Sequence, residues 1–404
     1  MVILGLNAYH GDSAACLVAD GELIAAAEEE RFQRIKHWAG LPLRAIAFCL
    51  SEAGVQLSEV EHIAINRRPG ANNWRRLGFM LRYRPDFSLV RSRLGNIRAA
   101  LSVQEKLRGE FDGEKCGAKV HYVEHHLAHL ASAYLVSGLR ESVCVSVDGF
   151  GDFASTAWGF GHNGSIAIDG WVYFPHSLGI FYATITQHLG FPNFGDEYKV
   201  MGLAAYGEPR FLPWMRRLVR VQRDGTFQLN LKYFRHHWQD VSYTWNGGAP
   251  AVGTLYTPEL ERLLGSARQM GAPLEPRHYD LAHSAQAMYE EAFFALLQAV
   301  HRQYNCPNLA LAGGCAMNSV ANGKVCLRSP FKKVFVPPAP GDAGGAIGAA
   351  LTVWHRLQRQ RGSLPCAPGA WSAVSCPYNG PKFEDEEIRE LLSARGFLPG
   401  PEDS

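Results

Sequence analysis

The sequence predicts an α/β chain made of two similar lobes. Three observations point there. A strand–turn–strand–turn–strand block occurs twice, helical periodicity follows each occurrence, and glycine-rich loops sit at strand ends.

In the first block, residues 2–6 form an apolar run, followed by NAYHGDSAA, a second apolar run, an Asp20-Gly21 turn and the run LIAAAEEE. Roughly 140 residues later the plan returns. Residues 143–147 are followed by DGFGDFAST, AWGFG, an Asn163-Gly164 turn and SIAIDGWVYF. Asp-Gly and Asn-Gly between apolar runs are hairpin signals, because both residues of a type I′ turn need positive φ. Each lobe is therefore expected to open with a β-meander.

The helices follow from spacing. Residues 41–54 repeat apolar positions near every 3.6 and end in Gly54. Residues 126–136 read as a second helix. Residues 279–304 read as a long amphipathic helix feeding a strand at 309–312. The expected division is a first lobe over 1–140, carrying a basic insertion at 67–110, and a second lobe over 141–357. Residues 358–404 would be a Pro/Gly-rich linker and the start of a further, truncated domain. Residues 67–98 hold nine arginines and one acidic residue, Asp86. A solvated helical insertion, with Arg stems covering apolar neighbours, is favoured over an anion-binding surface.

Composition bounds the rest. With 404 residues and 47% of them apolar, the chain can bury a sizeable core. A net charge of +2 gives no argument for nucleic acid. No run of about 18 apolar residues suggests a membrane span, and the N-terminus reads as a strand instead of a signal peptide. The nine cysteines are scattered with no CxxC pair, as for reduced thiols in a cytoplasmic protein.

A metal centre is suggested by VEHHLAHLASAY. His125 and His129 are four apart, so on a helix their rings share one face. His126 points about 100° away and is the poorer ligand. Carboxylates are needed to complete a site. Asp148 at the end of the following strand and Asp342 in PGDAGGA are the candidates. Two imidazoles and two carboxylates suit iron, zinc or manganese. A pair of helix-surface histidines is the plainer alternative.

Nucleotide contacts are suggested by three loops. Gly313-Gly314 follows the strand at 309–312 and lets a base or ribose approach the backbone, with Asn318 near a ribose hydroxyl. Gly149 and Gly151 in DGFGD place backbone N–H groups where phosphate oxygens could lie. Gly341 and Gly344 flank Asp342 at a helix start, where the dipole favours an anion. Each loop alone could be an ordinary tight turn. Together with the duplicated meanders they fit the actin-like ATPase fold, in which two ribonuclease-H-like lobes hold nucleotide and metal in their cleft. There is no Walker A or GxGxxG–acidic signature.

The first bend also carries His10 and Asp12. An imidazole there could take a proton from an acceptor hydroxyl, and Asp12 could bind substrate or simply stabilise the turn. Lys36, in EEERFQRIKH, could neutralise phosphate. Asp196 and Lys199, in GDEYKVMGLAAYG, are polar residues in a Gly-flanked stretch that a substrate could partner.

In this order, NAYHGDSAACLV, EEERFQRIKH, EHHLAH, VDGFGD, GDEYKVMGLAAYG, LAGGCAMNSVANGKV and PGDAGGAIGAAL resemble the NodU/CmcH O-carbamoyltransferases, whose N-terminal part is similar to the TsaD-type threonylcarbamoyl transferases. The resemblance runs from residue 1 to about 357. It implies that carbamoyl phosphate and ATP, with Mg2+, give a carbamoyl-adenylate. An acceptor hydroxyl would then attack the adenylate beside an Fe2+ (or Zn2+ or Mn2+) held by His125, His129, Asp148 and Asp342. It places Gly313, Gly314 and Asn318 on the adenosine, Lys36 near phosphate or carbamoyl oxygens, and His10 near the acceptor.

Family members continue into a YrdC-like domain that makes the adenylate. A separate YrdC-like partner is therefore expected, along with a small hydroxyl-bearing secondary metabolite, such as an antibiotic precursor, as acceptor. A homodimer is left open. The competing readings are a phosphotransferase or ATPase of the same fold, a non-catalytic nucleotide-binding subunit, and transfer to an amine.

Overall fold

The computed structural model describes residues 1–84, 103–110, 117–238, 243–244, 247–362 and 377–397. The parts of the predicted insertion at 85–102, and of the predicted linker segment at 363–376 and 398–404, lie outside these.

The first block folds as the expected meander: β1 (Val2–Asn7), β2 (Ala14–Ala19) and β3 (Glu22–Glu28). Asp20 and Gly21 both take positive φ, as a type I′ hairpin requires. Helix α1 (Leu43–Ala53) stops at Gly54, whose φ of +62° makes the left-handed cap. Strands β4 (His62–Ile65) and β5 (Lys119–Tyr122) then pair parallel to β1, giving the order β3-β2-β1-β4-β5.

The second lobe repeats this plan. Strands β6 (Glu141–Gly151), β7 (Ala154–His162) and β8 (Ser165–Tyr173) form an antiparallel meander. Strands β9 (Asn308–Ala312) and β10 (Lys333–Phe335) add parallel to β6, giving β8-β7-β6-β9-β10. Two sheets of identical order, each with three antiparallel and two parallel strands, are two ribonuclease-H-like lobes of the actin-like fold.

Two helices join the lobes. Helix α2 (His125–Tyr134) follows β5 of the first sheet but packs on β6 and β9 of the second. Among the described residues, three more helices shape the site: α3 (Leu178–His188), α4 (Pro276–Tyr304) and α5 (Asp342–Gln360). Helix α5 leaves the second sheet and lies across β1, β2 and β4 of the first, in close contact with α2.

The alternation within β1 divides the core. Ile3 faces the α2/α5 layer, while Leu4 and Leu6 face α1. All three are fully buried, and each such side chain stabilises the fold by about 1.5–3 kcal/mol over its exposed state. The α2/α5 layer is rich in alanine, including Ala128, Ala131, Ala346 and Ala349, so the helices approach closely. A Cβ on Gly348 would lie 1.8 Å from the Ala128 carbonyl oxygen.

In the described part of the basic insertion, a helix spans Asn73–Tyr83. Two of its arginines lie over second-lobe rings, Arg75 on Tyr173 and Arg76 on Phe153. Among the described residues, no helix is long and apolar enough to cross a membrane. Cys16, Cys49, Cys144, Cys306, Cys315 and Cys326 are free thiols.

Candidate active site

Helix α2 begins where Glu124 accepts the Leu127 N–H at 2.8 Å, so His125 is its first residue and His129 lies one turn on. Their Nε2 atoms are 3.0 Å apart. Asp148, near the end of β6, places Oδ2 3.0 Å from His125 Nε2 and 3.5 Å from His129 Nε2. Asp342, the first residue of α5, places Oδ1 3.6 and 3.4 Å from the same two nitrogens. One ligand atom from each of the four residues fits within 4.8 Å of the others, and all four side chains are buried.

Local structure explains the convergence. The β6–β7 ladder is interrupted between Val147 and Gly151, which frees the end of β6 to turn. Gly151 has no side chain because His125 occupies the space; an added Cβ would meet the imidazole at 1.9 Å. Asp152, held at φ +48°, accepts the His125 N–H at 2.9 Å and the Arg68 N–H at 2.8 Å through Oδ2. Asp148 Oδ1 accepts the Gly314 N–H at 2.8 Å, which ties the glycine loop after β9 to the cluster.

The electrostatics of the cluster call for positive charge. Burial opposes a charged His129 ring, but hydrogen bonds to Asp148 and Asp342 outweigh it and raise its pKa to about 10. For Asp148, burial is outweighed by the hydrogen bonds from His125 and His129, and its carboxyl is held well below the usual range. Asp342 Oδ1 is buried, with the His129 and His125 Nε2 atoms 3.4 and 3.6 Å away. With both Nε2 lone pairs turned inward, two imidazoles and two carboxylates offer four ligand atoms to one point. The donor set therefore fits a transition metal ion.

Around the cluster opens a cleft of about 610 Å³. It is lined by His10, Asp12, Lys36, Asp148, Gly149, Gly314, Asn318, Gly341 and Asp342, so nine of the sequence-derived candidates meet at one place. His10 Nδ1 lies 2.5 Å from Asp342 Oδ2. Asp12, at φ +55°, faces His37, with 2.6 Å between Oδ1 and Nδ1. The hydrogen bond that His37 donates to Asp12 raises the His37 pKa, and Glu30 accepts the His37 backbone N–H at 2.7 Å. Asp12, Glu30 and His37 form a second, partly exposed cluster whose internal bonds account for them.

Other candidates lie off the cleft wall. Gly151 packs behind His125. Gly313, at φ +90°, lets its loop approach the Val147 carbonyl, and Gly344 lets α5 approach Ala339. Asp196 and Lys199 pair with each other at 2.6 Å. Asn318 lines the cleft, but it also caps the helix Ser319–Asn322 and shares a reciprocal amide pair with Gln286.

Residues not singled out from sequence include Asp152, Tyr182, Gln286 and Glu290. The legible signal for the last two was a Gln and a Glu four apart on the helix at 279–304, where the periodicity put a buried face.

Residues 2–351 match the family described as the carbamoyltransferase N-terminus. An uncharacterised protein of Synechocystis sp. is 38% identical over 407 aligned residues, covering 96% of this chain and 62% of that one. The nodulation protein NolNO of Sinorhizobium fredii is 36% identical, covering 87% of this chain and 47% of its own length. This chain thus spans about half to three-fifths of these relatives. Among solved structures, HypF of T. kodakarensis is similar over 89% of this chain and 48% of its own, at 12% identity and a TM-score of 0.42. The ROK hexokinase of Thermus thermophilus covers 87% and 98%, at 16% identity and a TM-score of 0.38. By the match over residues 2–351, the chain belongs to the carbamoyltransferase family, through its N-terminal module.

Proposed function

We propose that this chain transfers a carbamoyl group from a carbamoyl-adenylate to a hydroxyl of a small acceptor, releasing AMP. The observation that carries the reading is the convergence of His125, His129, Asp148 and Asp342 at the floor of the cleft, with His10 on Asp342.

His125, His129, Asp148 and Asp342 would hold the ion, iron by the family resemblance. When bound, such an ion supplies a Lewis acid for charge developing on carbonyl and phosphate oxygens.

The remaining roles belong to the chain itself. The Gly149 and Gly314 segments let the nucleotide approach the backbone beside Asp148, and Asn318 offers an amide N–H to the adenosine. Lys36 neutralises phosphate or carbamoyl oxygens. The acceptor oxygen forms a bond to the carbamoyl carbon, the bond from that carbon to the phosphate oxygen breaks, and AMP leaves with the electron pair. His10 takes the acceptor proton, oriented through its Nδ1 contact with Asp342. The cleft walls limit water, which would otherwise hydrolyse the mixed anhydride.

The adenylate is supplied by a YrdC-like domain or protein. The test is transfer by the purified chain with carbamoyl phosphate, ATP and a polyhydroxylated acceptor, with and without such a partner. The expected product is AMP, with transfer only when the partner is present. Robust transfer without it removes the need for the partner. Release of ADP instead of AMP removes the carbamoyl-adenylate reading.

A further inference from the structure

Beneath the nucleotide side of the cleft lies a polar relay on the buried face of α4. Gln286 and Glu290 are each 4% exposed and lie one helical turn apart. Gln286 Oε1 accepts the Tyr182 hydroxyl at 2.8 Å and Asn318 Nδ2 at 2.9 Å. Its Nε2 donates to Asn318 Oδ1 and to Glu290 Oε1, both at 3.0 Å. All four hydrogen-bonding positions of the amide are thereby used. Glu290 is in turn held by Lys324 at 2.5 Å and Arg328 at 2.7 Å, from the segment that follows Asn318.

A buried carboxylate with two cations and a saturated amide costs desolvation that apolar side chains in the same place would avoid. Such a network fixes orientation. It does so for two residues that line the cleft, Tyr182 and Asn318. Asn318 Oδ1 is spent on Gln286 and on the Ala321 N–H, and one Nδ2 proton goes to Gln286. The second Nδ2 proton remains as a donor, so the ligand atom opposite Asn318 is an acceptor, such as a ribose oxygen or a purine nitrogen.

We propose that Gln286, backed by Glu290, is a positioning residue that fixes Asn318 as a hydrogen-bond donor to the nucleotide. This rests on the nucleotide reading of the cleft.

The experiment is ATP binding to the full chain by titration calorimetry, for wild type, Gln286→Met, Asn318→Ala and the double variant, with thermal midpoints measured alongside. Gln286→Met is expected to raise the Kd for ATP about tenfold, as for loss of one oriented hydrogen bond. The double variant is expected to bind no more weakly than Asn318→Ala alone, because Gln286 acts through Asn318. If Gln286→Met does not fold, Glu290→Gln is the second probe, with an expected rise of about threefold. An unchanged Kd in the folded variant, with or without a lowered midpoint, overturns the proposal, as does additive loss in the double variant. Wild type that binds no ATP overturns both this relay and the nucleotide reading. Wild-type binding with unaltered variants overturns the relay alone.

Discussion

The Nε2 atoms of His125 and His129 face one another at 3.0 Å, one helical turn apart and shielded from solvent. Uncharged and unmetallated, one Nε2 would carry a proton and the other a lone pair, and that lone pair would face carboxylate oxygens. Asp148 and Asp342 close the remaining sides.

His129→Ala removes one of two nitrogen donors from a fully buried position. Bound transition metal is expected to disappear from the purified chain, with affinity weakened by at least about a hundredfold. Elemental analysis after anaerobic purification measures this. His126, whose Nδ1 lies 3.0 Å from Ser146 Oγ, is outside the cluster, and His126→Gln is expected to keep the metal.

His10→Ala separates proton transfer from metal holding. The ring is 27% exposed at the cleft and touches Asp342 without belonging to the four-residue set. Single-turnover transfer is expected to slow by about 10²–10⁴-fold while metal content persists. Equal loss of metal and activity would instead make His10 a structural support for Asp342.

Gly348 tests the helix pair. Its missing Cβ would sit 1.8 Å from the Ala128 carbonyl oxygen, which is backbone and cannot rotate away. Gly348→Ala is expected to cost about 1–3 kcal/mol in urea unfolding, through separation of α2 from α5. A change within about 0.3 kcal/mol would mean the layer relaxes without strain.

His176 gives a pH signature. Its Nδ1 accepts the Leu229 N–H at 3.1 Å, which only a ring unprotonated at that atom can do. Burial lowers its pKa from 6.5 to about 4. The folded value lies below the unfolded one, so the unfolded state binds more protons between those limits. Its contribution to stability is complete above pH 6.5 and is lost as pH falls towards 4. His176→Asn retains an acceptor oxygen that does not titrate. A shallower fall in urea midpoint between pH 7 and 5 is expected for this variant than for wild type. Parallel curves would show that His176 carries no part of the acid sensitivity.

Much of this was legible in the chain, for identifiable reasons. The Asp20-Gly21 and Asn163-Gly164 turns announced the two meanders because few residues accept their backbone angles. The His125/His129 spacing placed both rings on one face because helical geometry leaves little choice. The glycines were harder. Gly149, Gly314 and Gly341 line the cleft, whereas Gly151 and Gly344 make room for His125 and for a neighbouring carbonyl. A string of letters gives both kinds the same appearance, since a missing side chain can admit a ligand or another part of the protein. Gln286 and Asp152 escaped notice because Asn318 and His125, the site residues they hold, are 32 and 27 residues away in the chain, and only tertiary packing brings them together.

The crossing of α2 and α5 between the lobes has a mechanical consequence. Each helix acts as a strut that starts in one half and bears on the other. The histidines ride on the first strut, and Asp342 heads the second. A rotation that pulled the halves apart at this end would shear the struts and tear the four donors out of register. Cleft opening that spares them would pivot about the struts. In such a hinge the floor stays rigid while the entrance breathes, so cargo could come and go past an undisturbed centre.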